Sequence, residues 1–176
     1  MRSGSPQGVS AFRDPGGLDF VPVLESAFES ILAELLTLER AAFPESPDSL
    51  TVVRDGHDER GWRYFGLYGE GADLDANRRR CPETARVCAS VPRLVNAGFS
   101  LFLPGTHLYP HHGELRGVLR CHLALVVPGG DVGLRSGGET RRWQPGRCLV
   151  FDDTIEHEAW NHGGGERVVL IVTFEV

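Results

Sequence analysis

Val118-Leu119-Arg120-Cys121-His122-Leu123-Ala124-Leu125-Val126-Val127 is the stretch on which the fold of this 176-residue chain turns. Side chains alternate along an extended backbone, so Leu119, Cys121, Leu123, Leu125 and Val127 form one apolar face. The other face carries Val118, Arg120, His122, Ala124 and Val126. An Arg and a His two positions apart therefore share a face. Either that face meets water and Arg120 is solvated, or it lines an interior site where Arg120 meets an anion, because burying an unpaired guanidinium is costly.

The segments around this strand have the same character. Runs at 97–103, 107–111, 132–135, 139–143, 147–151, 157–161 and 167–174 are short and rich in Val, Leu and Phe. Turns such as Pro104-Gly105, Pro128-Gly129-Gly130 and Gly163-Gly164-Gly165 separate them. Many short strands at this spacing predict a mainly β domain of sandwich or jelly-roll type. Upstream, Leu24, Phe28, Ile31, Leu32, Leu35 and Leu36 recur at helical spacing, which predicts one helix over 20–41 that ends at Pro44 and Pro47. WRYFGLY at 62–68 reads as a strand, 69–80 as a solvated loop, and 83–90 as a shorter helix opened by Pro82. Because the helices come first, they are expected to buttress one sheet from outside. Residues 1–17, rich in Gly, Ser and Pro, are expected to form a flexible lead to a single domain over 18–176.

Composition narrows the function. The net charge of −6 speaks against a general nucleic-acid backbone binder. All 18 basic residues are Arg, so Schiff-base chemistry on Lys is excluded and a bound carboxylate must be met by Arg or His. Cys81, Cys88, Cys121 and Cys148 show no C-x-x-C pair and no zinc spacing, and read as reduced thiols. The first residues lack an apolar signal segment and no apolar run approaches membrane length, so a cytoplasmic protein without a membrane role is expected.

The residues that carry chemistry are His111-His112-Gly113, His157 and Arg167. His111 and Gly113 share a face in extended backbone. A facial triad for non-haem iron supplies His-x-Asp or His-x-Glu and a distal His; here Gly113 stands in the carboxylate position and His157 is the distal candidate. A hairpin through Gly163-Gly164-Gly165 is expected to bring 157–161 beside 167–171, with His157, Ala159, Arg167 and Val169 on one side. An Arg there can grip a carboxylate bidentately.

From about Trp62 to Phe174 the chain resembles the aspartyl/asparaginyl β-hydroxylase family of Fe(II)- and 2-oxoglutarate-dependent oxygenases, in its compact bacterial members. The matching stretches are Pro104-Gly105-Thr106-His107 with Pro110-His111 and Gly113; Leu119-Arg120-Cys121-His122-Leu123; Phe151-Asp152-Asp153 with Glu156-His157-Glu158 and Trp160; and Arg167-Val168-Val169-Leu170. The resemblance implies a double-stranded β-helix (jelly-roll or cupin-like) with N-terminal buttressing helices. It implies Fe(II) held by His111 and His157, with water in the position vacated by Gly113. It implies that Ser100 and Arg167 bind the distal carboxylate of 2-oxoglutarate, that Arg120 and His122 lie near its other carboxylate and the substrate, and that Trp62 stands on the substrate side. His111, His157 and Arg120 then form the catalytic set.

The implied reaction hydroxylates an unactivated C–H bond, at the β-carbon in this family. The substrate would be an amino acid, an amino-acid residue in a peptide, or an amino-acid-derived natural-product intermediate. 2-Oxoglutarate and O2 are consumed, and succinate and CO2 are released. In members that act on Asp, an extra Arg stands two positions before the Arg matching Arg120; this chain has Val118 there, one cation fewer for an acidic side chain. Asp152 and Asp153 are expected to be turn formers or to act from outside the iron's ligand set, and His107 and His112 to be structural. Two alternatives keep the same metal site: a radical halogenase, which uses the missing carboxylate to hold a halide, and a non-catalytic cupin-like metal-binding module.

Overall fold

The computed structural model describes residues 11–45, 61–71 and 73–176. Residues 1–10 of the expected lead, Pro47 and His57 lie outside the described residues. Ten strands follow in chain order: β1 Phe12–Arg13, β2 Trp62–Tyr68, β3 Leu94–Phe102, β4 His107–His111, β5 Val118–Val126, β6 Val132–Ser136, β7 Glu139–Arg141, β8 Cys148–Phe151, β9 His157–Asn161 and β10 Arg167–Glu175. They form a six-stranded sheet in the order β1-β8-β5-β10-β3-β2 and a four-stranded sheet in the order β4-β9-β6-β7. From β3 onward the chain passes back and forth between the sheets one strand at a time, except that the β6–β7 hairpin places two successive strands in the smaller one. This is a double-stranded β-helix.

Helices α1 Val21–Ser26, α2 Phe28–Leu36 and α4 Pro82–Ala89 belong to the layer outside the larger sheet. Leu24, Ile31, Leu35, Val87 and Cys88 form one core there with Leu119, Cys121, Leu123 and Leu125 of β5 and Leu170 and Val172 of β10. A second core lies between the sheets and contains Trp62, Phe102, Ala124, Trp143, Phe151, Ala159 and Val169. The two faces of β5 thus serve two different cores, and the Arg120/His122 face is the one that looks between the sheets.

Four expectations change. The single helix over 20–41 is broken at Ala27 (φ −86°, ψ 2°), with a short 3-10 turn at Arg40–Ala42 beyond α2. At the break, Glu25 accepts from the Cys148 N–H at 2.9 Å and pairs with Arg147 at 2.7 Å, tying α1 to β8. Part of the expected loop over 69–80 is helix α3, Leu74–Arg80. No residue of α3 is buried; its anchors are Asn77 Nδ2, which donates to the Gly66 carbonyl at 2.8 Å, and Arg78, which donates to the Leu67 carbonyl at 2.6 Å. At the start of the described chain, Ala11 and Phe12 are buried and Phe12–Arg13 pairs with Phe151 and Val150 of β8, so Phe12–Arg13 is an edge strand within the stretch expected to be a flexible lead.

The expected hairpin of 157–161 with 167–171 does not form. β9 pairs with β4 and β6, and β10 with β3 and β5. Eight of the nine residues of β10 are buried, a pattern that fits only a sheet covered on both faces, whereas β9 alternates and leaves one face outward. Ala159 and Val169 still meet in the inter-sheet core, from opposite sheets.

Candidate active site

His111 and His157 are direct cross-strand partners on β4 and β9, and their ring centroids lie 4.2 Å apart. Each ring is oriented by its own chain. His111 Nδ1 lies 2.7 Å from the Tyr109 carbonyl and His157 Nδ1 2.9 Å from the Ile155 carbonyl. A carbonyl can only accept, so both rings carry the proton on Nδ1 and the lone pair on Nε2, the tautomer a metal ion requires. Burial and the neighbouring His111 hold the His157 imidazole down to about 3, in its neutral, ligating form.

Packing leaves no room for a side chain at Gly113, where the sequence pattern of a facial triad would place a carboxylate. A Cβ on Gly113 would stand 2.3 Å from both carboxylate oxygens of Asp153. Asp153 is buried, and burial pushes its carboxyl above the usual range while the Arg120 cation pulls it back. Arg120 Nε lies 2.8 Å from Asp153 Oδ2, but the N–H is not aimed along that line, so Coulomb attraction rather than a directed hydrogen bond joins them. Among the described residues no group of three or more His, Cys, Asp or Glu side chains is arranged to hold a metal.

Opposite the two histidines, on the larger sheet, stands Arg167, fully buried. Its guanidinium carbon lies 3.6 Å from the Phe102 ring centroid and 4.8 Å from that of Trp143. Among the described residues it makes one long hydrogen bond, 3.5 Å from Nη1 to the Ser100 carbonyl, and its Nε has no partner. Burial draws its pKa down to about 9. His122 is also buried with both ring nitrogens unpartnered, and burial, then the Arg167 and Arg120 charges, push it well below the ordinary imidazole value. The Trp62 indole N–H donates to Ser100 Oγ at 3.0 Å. A buried cation surrounded by orphaned polar atoms is a site made for an anion.

The pocket that joins Ser100, Arg120, His122, His157 and Arg167 holds about 20 Å³ of open space, so anything larger than a water must displace side chains to enter. Two wider clefts adjoin it. One of about 270 Å³ runs past His111, Gly113, Arg120 and Asp153. The other, of about 700 Å³, passes Trp62 and Arg120 outward along Tyr64, Tyr68 and Leu115 to Glu70. Trp62 and Arg120 line all three spaces.

Each residue singled out in the sequence thus has a place: His111, His157, Ser100, Arg120, His122, Arg167 and Trp62 converge between the sheets. His107 points elsewhere, held at 3.0 Å from Glu158 and stacked on Tyr109, and His112 Nδ1 meets the Thr154 carbonyl. Asp152 builds a turn, accepting from the N–H and hydroxyl of Thr154. Sequence reading missed Trp143, Tyr64, Tyr68 and Leu115, and it missed Asp153 as the ion partner of Arg120. Residues 62–68 alternate clearly enough to place Tyr64 and Tyr68 on the Trp62 face; no local signal marks Trp143.

The two sheets, with two paired histidines on one and a buried arginine on the other, define a cupin-like double-stranded β-helix protein. Residues 25–176 match the aspartyl/asparaginyl beta-hydroxylase family, and the chain belongs to it. It is 39% identical over 155 residues to the ornithine lipid ester-linked acyl 2-hydroxylase of Rhizobium tropici, covering 86% of this chain and 55% of that one. It is 37% identical over 162 residues to human aspartate beta-hydroxylase domain-containing protein 2, covering 86% and 43%. Against mouse aspartyl/asparaginyl beta-hydroxylase the figures are 30% over 169 residues, 91% and 22%. The chain therefore spans about half, or less, of the length of these relatives. Among solved structures, the DMSP lyase DddQ of Ruegeria pomeroyi superposes with a TM-score of 0.56 at 15% identity over 98% of this chain and 77% of that one, a likeness of fold alone. No helix among the described residues is long and apolar enough to cross a membrane.

Proposed function

We propose that this hydroxylase-family protein is an Fe(II)- and 2-oxoglutarate-dependent dioxygenase that hydroxylates an unactivated C–H bond and releases succinate and CO2. The observation that carries the reading is the pairing of two Nδ1-tethered histidines on one sheet with a buried Arg167 on the other that meets no carboxylate among the described residues. Iron would be held by Nε2 of His111 and His157. With 2-oxoglutarate and O2, iron supplies the oxidising power.

The chain supplies the rest. Arg167 and Ser100 would hold the distal carboxylate of 2-oxoglutarate. His122 and Arg120 would stand nearer its keto-acid end, and Trp62, fixed by Ser100, would separate cosubstrate from substrate. Cosubstrate entry requires side chains of the tight inner pocket to turn aside, after which water is excluded.

For the substrate, the 700 Å³ cleft is large enough for a drug-sized molecule. Its aromatic and aliphatic walls, with Arg120 already paired to Asp153, favour a substrate with an apolar arm over a free acidic side chain. An acylated amino acid combines the amino-acid-derived substrate expected for the family with such an arm, and the Rhizobium relative is named for a lipid of that kind. The four cysteines are buried free thiols, in keeping with a reducing, cytoplasmic setting. Radical halogenation is less well supported, because the family and the relatives this chain matches are named as hydroxylases. A non-catalytic metal module has no use for Arg167.

The test is succinate formation from 2-oxoglutarate under air with Fe(II) and ascorbate, with a panel of amino acids, peptides and acylated amino acids, comparing wild type with His157→Ala. Succinate that requires His157 and rises with one member of the panel supports the reading and identifies the substrate class. A wild-type protein that binds neither iron nor 2-oxoglutarate overturns it.

A further inference from the structure

Arg167 presents an unusual problem: a guanidinium fully buried beside the neutral His122, with no carboxylate against it among the described residues. Its compensation comes from two aromatic faces. Phe102 is its direct cross-strand partner on β3, and the guanidinium carbon stands 3.6 Å from that ring's centroid. Trp143 lies in the connection between β7 and β8, and its ring centroid is 4.8 Å from the same carbon. Trp143 also lies nearly parallel to the His122 ring, at 6.1 Å and 18°. A desolvated cation against aromatic faces is held by the negative faces of the ring quadrupoles. Such contacts leave the in-plane N–H groups of the guanidinium available for an incoming anion. A carboxylate partner would consume them.

We infer that Trp143, with Phe102, is a positioning residue that holds the Arg167 guanidinium against its ring and keeps its N–H groups directed to the distal carboxylate of the cosubstrate. The inference rests on the 2-oxoglutarate reading above. It adds a residue that makes no carboxylate contact itself and acts through the guanidinium. The clamp accounts for three features together: a large buried indole at the seam of the two sheets, a buried arginine without a counter-ion, and an unpartnered Arg167 Nε.

The test compares two keto acids of equal chain length, 2-oxoglutarate and 2-oxovalerate, which lacks the distal carboxylate. Each is titrated calorimetrically into protein loaded with Mn(II), for wild type, Trp143→Phe and Trp143→Leu. With a desolvated contact of this kind, Trp143→Leu is expected to weaken 2-oxoglutarate by about 30-fold and leave 2-oxovalerate within about 3-fold. Trp143→Phe keeps an aromatic face and should retain most of the affinity. In turnover, the loss should fall on the KM for 2-oxoglutarate and leave kcat nearly unchanged. Should Trp143→Leu fail to fold, protein made with fluorinated tryptophan, whose shape is preserved and whose ring quadrupole is weakened, must show a selective loss for 2-oxoglutarate that disappears in the Trp143→Phe background. Equal weakening of both keto acids, or none, overturns the clamp. Wild-type protein that binds 2-oxovalerate as well as it binds 2-oxoglutarate refutes instead the role given to Arg167, and wild type that binds neither refutes the cosubstrate reading itself.

Discussion

Replacing Gly113 with Ala tests whether Asp153 closes the position at which a carboxylate side chain would stand. Gly113 is not in the left-handed backbone region, so alanine meets no conformational barrier there, and the obstacle is space. The new Cβ would stand 2.3 Å from Asp153 Oδ1 and Oδ2 and 2.4 Å from its Cγ, about 1 Å inside ordinary contact. Neither partner can retreat easily. The Gly113 N–H donates to the Asp153 carbonyl at 2.7 Å, which ties the two backbones, and the Asp153 carboxylate is buried against Arg120 at 2.8 Å. Overpacking of this size, with partial loss of a buried ion pair, costs about 2–3 kcal/mol. For a chain of this length that lowers Tm by roughly 5–10 °C.

Calorimetric and urea melts of the metal-free protein measure it without a contribution from ligand binding. A double-mutant cycle isolates the cause. In an Asp153→Ala background the clash is gone, and Gly113→Ala should cost less than about 0.5 kcal/mol, or even stabilise by restricting the unfolded chain. If Gly113→Ala is neutral in the wild-type background, or costs the same in both backgrounds, the argument that Asp153 closes this position is wrong.

Two further outcomes follow from contacts away from the site. Glu34 accepts from the Glu83 and Thr84 N–H groups and from Thr84 Oγ1, capping α4 from α2; Glu34→Ala should cost about 1–2 kcal/mol in urea unfolding, and Glu34→Gln less. The Glu158 carboxyl, which burial alone would raise, is held below its ordinary value by Arg135 and His107. Its contribution to stability is complete above the unfolded carboxyl pKa and disappears as pH falls through the lower folded one, so Glu158→Gln should flatten the acid limb of a stability–pH curve and leave its slope above pH about 6 unchanged.

Much of the fold was legible because strands announce themselves by alternation. The expected bounds of β2, β4 and β9 coincide with the observed ones, and the two faces of β5 separate as the side-chain period requires. Helix α3 was not legible, because it buries no residue and owes its position to the Gly66 and Leu67 carbonyls, contacts between segments that sequence periodicity does not register. The break at Ala27 has the same origin: a continuous apolar stripe is interrupted where Glu25 is drawn to β8. The misplaced hairpin is a different failure. The uninterrupted apolar run of β10 against the alternation of β9 distinguishes a doubly covered strand from a half-exposed one, and proximity in sequence does not outweigh that pattern.

By itself, then, the sequence determined which residue types were available and on which face of which strand they stood: His111 and His157 at strand ends, Arg120 and His122 on one face, Arg167 opening the last strand, Gly113 where a carboxylate would be. Local periodicity determines a face, since that depends only on the backbone repeat. Tertiary structure alone decided what each face meets. It set His111 beside His157 across β4 and β9, filled the space over Gly113 with Asp153, and enclosed Arg167 between Phe102 and Trp143. Such contacts join residues distant in sequence, and their energies depend on the desolvation that only the packed molecule provides.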